Sequence, residues 1–505
     1  MSVGMAYRKE PTMMPFVMYF RALPLLFAAP HDKMCRDRRR PRMKRGRRGF
    51  MNRGGVDMTM IWEPARQIPV WDEADVCVVG GSCTGVFAAI RAARMGLKVA
   101  LVENQGRLGG TATAGLVYIW HTLLDDTFTV PVIGGLTDEV ERRLYKADRL
   151  EYAGHSHGAG ARLDPLYLAY TLDQMAREEG LRIYLHTRYA ALQRDGERVT
   201  AVILENKDGR GAIRARFFID ATGDGDLCRD IGLPCYRNEN IQPPSACFYM
   251  TGGTDDEHLE RMVLEHGAEF GLDNDTGWNG PLPNIENVYF RADNHVFGVD
   301  CSKAADLTRA EVEGRRRAFA FEAMTNAYGK RAHRIVNLCS HIGIRDTRHY
   351  ETDYRATEMD LLSGRDFEDA ILHGTYRLDV HHQQDNMGWT FKYLDGRVET
   401  YLGKSPVPIV SNWREEMGLG PAERHYYSLP FRALVQRQSA NFIMAGRMVN
   451  AEEFAFGALR VMVNCNQMGE AAGVAAALCL RNDQPVWALD GRDVRAALNA
   501  GGSLL

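Results

Sequence analysis

The segment Ala74 to Thr113, ADVCVVGGSCTGVFAAIRAARMGLKVALVENQGRLGGTAT, constrains the fold more than any other part of the chain. It opens with a short apolar run, Val76 to Val79. A glycine turn follows, Gly80-Gly81-Ser82-Cys83-Thr84-Gly85. A helix-like stretch, Val86 to Met95, ends at Gly96, and a second apolar run, Val99 to Val102, stops at Glu103. A dinucleotide needs strand, glycine turn, helix, strand and terminal acid in this order. The turn brings backbone N–H groups and a helix N-terminus up to a pyrophosphate. An acid roughly 20 residues on can accept hydrogen bonds from a ribose. The pattern departs at Ser82, where glycine would allow the closest approach to a pyrophosphate. Serine still offers its N–H, and its hydroxyl could reach a phosphate oxygen. The competing reading is a turn that only reverses the chain.

Three further segments narrow the dinucleotide. Just past Glu103 lies a second glycine pair, Arg107-Leu108-Gly109-Gly110-Thr111-Ala112-Thr113. An apolar strand, Phe217-Phe218-Ile219-Asp220, runs into Ala221-Thr222-Gly223-Asp224. Near the C-terminus come Asn441-Phe442-Ile443-Met444-Ala445-Gly446-Arg447, then Phe456-Gly457-Ala458-Leu459-Arg460-Val461-Met462, then the small-residue helix from Gly469 to Ala477. Together they resemble the bacterial FAD-dependent oxidoreductase family, distant relatives of the flavoprotein subunits of fumarate reductase and succinate dehydrogenase. The resemblance covers about Ala74 to Leu480.

The resemblance implies an α/β chain with a Rossmann-like FAD-binding domain of the glutathione-reductase type and an inserted mixed α+β substrate cap. It implies that FAD is held by Gly80, Gly81, Ser82, Thr84 and Gly85 at the pyrophosphate and by Glu103 and Asn104 at the ribose. Arg107, Leu108, Gly109, Gly110, Thr111 and Ala112 would run along the cofactor. Tyr189 would flank the adenine, with Ala221, Thr222, Gly223 and Asp224 beside it. Gly446, Arg447, Arg460, Val461, Gly469 and Ala472 would complete the site. Some relatives tether FAD through a histidine, and Leu108 to Gly115 contains none, so FAD is expected to be non-covalent.

At 505 residues the chain exceeds one ordinary domain. Residues 68–120, 160–235 and 426–485 are expected to form the FAD domain. Residues 121–159 and 236–425 are expected to form the substrate cap, and 486–505 a tail. From Leu233 to Pro430 no second dinucleotide pattern occurs, so a separate NAD domain is not expected. Residues 1 to 67 read as a basic extension. The first sixty carry 14 Lys and Arg against 4 Asp and Glu, leaving 48 against 61 in the rest. That stretch reads as a disordered basic tail, a targeting segment or sequence upstream of a start near Met58 or Met60, the last being favoured because it lacks apolar periodicity. The mildly acidic body argues against a nucleic-acid partner. No run of about 20 apolar residues suggests a membrane span. Ten cysteines without C-x-x-C spacing weigh against a redox disulfide, zinc site or iron–sulfur cluster and favour a reduced, cytoplasmic protein.

Several local features carry their own expectations. Tyr118 to Thr129 reads as a loop over the cofactor. Thr137 reads as the N-cap of a helix from Gly135 to Ala147, and Asp164-Pro165 as the start of another that Gly180 ends. Thr308-x-x-Glu311 reads as a capping box for a helix to Tyr328. A glycine- and alanine-rich helix is expected to begin near Asn466 and to aim its N-terminal dipole at the flavin. His155-Ser156-His157 has metal-ligand residue types but no further ligands nearby, so no metal is expected. His381 and His382 read as solvated loop residues.

The chemistry expected is hydride transfer between a small organic substrate and FAD, with a proton path and charge supplied by the protein. His341 is the expected proton carrier, with Tyr426 in reserve. Arg345 or Arg432 is expected to hold a carboxylate or a developing oxyanion. The alternatives are an electron-transfer flavoprotein subunit working with a partner protein, and a protein in which FAD is structural. The sequence leaves open the substrate, the direction of transfer, the electron acceptor and the oligomeric state.

Overall fold

In the computed structural model, the described residues are 60–156, 159–252, 256–272, 277–383, 388–403, 405 and 407–505. The chain divides into Met1–Ala65, of which only 60–65 are described, and Arg66–Leu505. Most of the basic extension, and His157 of the His-Ser-His motif, lie outside the described residues.

The opening unit folds as its spacing predicts. Strand β1 (Val70–Val79) pairs in parallel with β2 (Val99–Val102), Val76 opposite Val99 and Val79 opposite Val102. Helix α1 (Cys83–Arg94) crosses between them. On its other edge β1 pairs in parallel with strand Gly209–Asp220, Val76 opposite Phe217. Strand Phe442–Met444 continues that side, and Arg182–Tyr184 extends the side beyond β2. Strands at the centre of a parallel sheet are covered on both faces, so their sequences read as unbroken apolar runs rather than alternations. Strands Arg188–Asp195 and Arg198–Asn206 complete an antiparallel meander onto Gly209–Asp220. This is a mixed α/β sheet of the Rossmann-like kind that the sequence predicts.

One face is closed by α1 packed on the long helix Met462–Asn482. The helices approach through their glycines. A Cβ on Gly469 would stand 2.1 Å from the Thr84 carbonyl oxygen, and one on Gly473 2.3 Å from that of Ala88. Arg91 of α1 and Glu470 form a buried ion pair. Glu470 also accepts from the Leu136 N–H at 2.9 Å, and Arg91 donates to the Gly501 carbonyl at 3.0 Å. One buried pair thus ties two helices, a helix start and the C-terminal turn.

That contact corrects the cap expected at Thr137. The helix runs Gly135–Lys146 with Gly134 as its cap residue, and Thr137 is buried in its first turn. The capping box expected at Thr308 is also absent. The helix begins a turn earlier, at Ala304, so the Thr308 hydroxyl donates back to the Ala304 carbonyl at 2.8 Å. Glu311 is then free to accept from the Ile342 N–H at 2.8 Å. The helix expected near Asn466 begins at Met462. The Asp164 cap with Pro165 at the first position forms as expected. Of the loop expected over the cofactor, only Ile119 and Trp120 form a short strand, and residues 121–129 are irregular. Ile119 and His121 line a large cavity, while Tyr118 and Trp120 turn away from it. Both are fully buried, Trp120 in the short strand Ile119–Trp120.

Between residues 233 and 430 the described strands pair only antiparallel. One four-stranded sheet has the order Trp278–Leu282, Ile285–Ala292, Phe248–Thr251, Arg334–Leu338. Another has Leu378–His381, Trp389–Lys392, Arg397–Tyr401, Ile409–Asn412. No helix among the described residues is long and apolar enough to cross a membrane.

Glu141, 2% exposed within helix Gly135–Lys146, gives a stability prediction. Burial, helped by the Asp138 charge, pushes its carboxyl up to about 8 from an ordinary value of 4.5. A carboxyl whose pKa is raised on folding binds its proton more tightly in the folded state. Stability therefore falls as pH rises from about 4.5 toward 8, by on the order of 2–4 kcal/mol. Glu141→Gln is expected to raise the melting temperature by several degrees at pH 8 and to change it little at pH 4. Calorimetry at the two pH values checks this.

Candidate active site

The glycine turn builds a cradle out of backbone. Gly80, with φ +104°, ends β1 so close to the next strand that a Cβ would stand 2.3 Å from the Ala221 carbonyl oxygen. A Cβ on Gly85 would stand 1.8 Å from the Gly80 carbonyl oxygen. Only residues without side chains allow the turn to fold this tightly before α1 begins. Ser82 is the N-cap residue of α1, in extended conformation, and makes no side-chain cap. Its departure from glycine has a structural counterpart. Gly109 and Ser82 form a parallel bridge, the Gly109 N–H donates to the Gly81 carbonyl at 2.8 Å, and a Cβ on Gly110 would stand 2.8 Å from that of Ser82. The second glycine pair makes room for the serine.

Glu103 closes the cradle. Its Oε2 accepts from the Gly81 N–H at 2.6 Å and its Oε1 from the Gln105 N–H at 2.8 Å. Burial raises its pKa, and these backbone donors, then the His341 charge, oppose the rise. The carboxylate is thus fixed to the turn and also lines the cavity. On the far side, buried Asp220 accepts from the Thr222 N–H at 3.0 Å and the Leu227 N–H at 2.9 Å, which shapes the Ala-Thr-Gly turn. Arg447 pairs with Asp224 at 2.7 Å and donates to the Thr347 hydroxyl at 2.8 Å. Tyr189 donates to Asp230 at 2.8 Å.

Gly80, Ser82, Glu103, Tyr189, Asp224 and Arg447 line one cavity of about 1610 Å³. A drug-sized ligand fills roughly 300–1,000 Å³, so there is room for a dinucleotide and a second molecule. The cradle fits a dinucleotide: a pyrophosphate-sized approach to backbone, a helix N-terminus, and a fixed acid beyond it.

The other end of the cavity holds a polar cluster. Arg345 forms an ion pair with Asp293 and donates to the Pro243 carbonyl at 3.0 Å and to the Ser245 hydroxyl. Asp379 lies 3.2 Å from His381 Nε2 and 3.4 Å from Arg460 Nη2, and accepts from the Tyr376 hydroxyl. Burial alone would lift the Asp379 pKa, but the charges of His381, Arg460 and Arg377 outweigh it and hold it well below the usual carboxylate range. Asp293 is likewise opposed by burial yet lowered to about 2, chiefly by Arg345. His295, within 4.0 Å of Asp293, is pushed well below its ordinary value by burial and by Arg345. Asp293, His295 and His381 bring one ligand atom each within 4.8 Å of one another. Arg345 and Arg460 already neutralise the two carboxylates here.

Of the residues singled out in the sequence, Gly80, Ser82, Thr84, Glu103, Asn104, Gly109, Gly110, Thr111, Tyr189, Ala221 to Asp224, Gly446, Arg447, Arg460 and Val461 line the cavity, as do His341 and Arg345. Others do not. Gly81 and Gly85 shape the turn behind it, and Leu108 and Ala112 are core residues. Arg107 lies outside the lining. Gly469 and Ala472 are buried in the helix that packs on α1. Arg432 is drawn away by Asp369 at 2.9 Å and covers Tyr354. Tyr426 packs on His373, outside the cavity. His381, expected in a solvated loop, ends a strand, is buried and lines the cavity. Asp293, His295, Tyr376, Arg377 and Asp379 were not singled out. Only the alternation Leu378-Asp379-Val380-His381 hinted at a strand with a polar face. Cys465 lines the cavity, but burial raises its thiol to about 12, and its Sγ contacts the Arg460 carbonyl at 3.4 Å.

Known proteins resemble the chain as follows. A family model described as FAD dependent oxidoreductase matches residues 75–498. Mitochondrial dihydrolipoyl dehydrogenase of Schizosaccharomyces pombe is 34% identical over 126 residues, 19% of this chain and 24% of that protein. Thiamine thiazole synthase of Desulfosudis oleivorans is 28% identical over 159 residues, 30% of this chain and 56% of that protein. The chain thus spans about a quarter and about half the length of these relatives. A geranylgeranyl bacteriochlorophyll reductase-like structure from Thermoplasma acidophilum aligns over 82% of this chain and 80% of that one, at 12% identity and a TM-score of 0.42.

Proposed function

Because this chain belongs to the FAD dependent oxidoreductase family, we propose that it transfers a hydride between a small organic molecule and non-covalently held FAD. One observation carries the reading: a single cavity runs from the glycine cradle and Glu103 to the cluster around Asp379 and His381. When bound, FAD supplies the two-electron chemistry. The turn at Gly80 to Thr84 would hold the pyrophosphate, Glu103 the ribose, and Tyr189 the adenine edge. The N-terminus of helix Met462–Asn482 opens on the cavity and would stabilise negative charge there. Asn466 lies in that first turn and is fully buried. Its side-chain nitrogen and oxygen have no partner among the described residues, so it offers one donor and one acceptor to the cofactor.

At the substrate end, His381 would take or give the proton, with ionised Asp379 fixing the ring through Nε2. Arg460, paired with Asp379, would steady charge developing on the substrate oxygen. His341 fits the cofactor side better: its backbone N–H bonds the Ala114 carbonyl, and its charge is felt at Glu103. Residues 236–425 would serve as the substrate cap, and the motif likeness to fumarate reductase and succinate dehydrogenase subunits supports such an arrangement. A small-molecule substrate and a cytoplasmic location complete the reading.

Anaerobic addition of hydroxy acids, sugars, amines and amino acids to the flavin-loaded protein tests it. One class is expected to bleach the flavin. Bleaching only by a partner protein would instead favour an electron-transfer subunit.

A further inference from the structure

We infer that the substrate end of the cavity is built for a polyhydroxylated ring, a carbohydrate or a cyclitol. This inference rests on the redox reading above. It starts from the sheet Leu378–His381, Trp389–Lys392, Arg397–Tyr401. Register places His381 opposite Trp389 and Trp389 opposite Tyr401, and places Asp379 opposite Phe391. Side chains two apart in a strand share a face. One face of the sheet therefore carries Asp379, His381, Trp389, Phe391 and Tyr401, and all five line the cavity. On the opposite face Leu378, Val380 and Thr390 are buried.

The three aromatic rings are only partly covered. Trp389 and Tyr401 lie nearly parallel, with centroids 4.9 Å apart and planes at 21°. Phe391 is 6.4 Å from Trp389 and carries the Arg377 guanidinium 3.7 Å above its face. Ring faces are electron-rich. The C–H faces of a saturated polyol ring are apolar and weakly positive, so they suit such a platform. The hydroxyls at the ring edge each donate and accept. Beside the platform, Arg377 Nε and Arg460 Nε are buried with no hydrogen-bond partner among the described residues, and Asp379, held against His381, adds an acceptor. Such atoms are costly unless a ligand satisfies them. A flat aromatic ring without polar groups round its edge would leave them unpaired. A simple carboxylate could pair with Arg377 but would face the ionised Asp379 beside it. A polyol ring answers both the platform and the mixed polar edge.

The test uses the flavin-loaded full chain, with calorimetry and tryptophan fluorescence. The probes are methyl β-D-glucopyranoside, myo-inositol, p-hydroxybenzoate and succinate. Saturable binding of at least one of the first two, and of neither of the others, is expected. Which of the two binds separates carbohydrate from cyclitol. Trp389→Ala is expected to weaken that binding by about tenfold or more with the flavin absorbance unchanged, and Trp389→Phe to retain most of it. Preference for p-hydroxybenzoate or succinate, or no saturable polyol binding, would overturn the inference. Failure of the redox reading would show separately, as a protein that takes up no flavin whatever ring it binds.

Discussion

Replacing His381 by glutamine is expected to lower turnover by about 10²–10⁴-fold while FAD content stays intact. His381 is held by an acid that burial would neutralise, yet contact with His381 and the Arg460 and Arg377 guanidiniums keep its pKa well below the usual carboxylate range. An ionised carboxylate 3.2 Å from Nε2 fixes the ring and leaves its other nitrogen for substrate. Glutamine keeps the size and polarity of the side chain but cannot carry the proton. Asp379→Asn should produce a loss in the same range, with part of it from misorientation. Because Asp379 also balances Arg460, that variant is expected to lower stability as well, which thermal unfolding would register. His341→Gln, in contrast, should shift FAD affinity more than turnover. Full turnover in His381→Gln, with flavin bound, would remove this residue from the mechanism.

Glu103→Ala is expected to weaken FAD binding by about 10²-fold. The side chain accepts from two backbone N–H groups, at Gly81 and Gln105. Hydrogen bonds to a charged acceptor contribute roughly 1.5–3 kcal/mol each, and a buried donor left unpaired costs further. The turn would loosen in the same step that removes the ribose contact. Equilibrium titration of flavin-free protein with FAD measures the effect. An unchanged affinity would mean that Glu103 only staples the turn to β2 and touches no ribose.

The two ends of the cavity differ in how readily the sequence reveals them. The cofactor end is made by backbone geometry, and glycines at fixed spacing leave a local signature: Gly80, Gly85 and the Gly109-Gly110 pair sit within one short segment. The substrate end is made by side chains from distant strands. Asp293 follows one strand, Arg345 lies in a loop, Asp379 and His381 belong to another sheet, and Arg460 caps a helix end. Arg345 and Arg460 stand in family-like segments and are legible as site residues, whereas Asp293, Asp379 and His381 read as ordinary polar residues, because burial is a tertiary property. Arg432 and Tyr426 were attractive for the converse reason: their motif-like surroundings gave no hint that Asp369 and His373 would claim them. Local capping signals failed where a distant partner outbid them, as Glu470 does at the helix beginning at Gly135.

The most direct measurement is the visible absorbance spectrum of the purified protein, before and after acid precipitation. The account predicts the bands of an oxidised flavin on the intact protein, and FAD in the supernatant once the protein is precipitated. A colourless protein that acquires no flavin bands after incubation with FAD would contradict it.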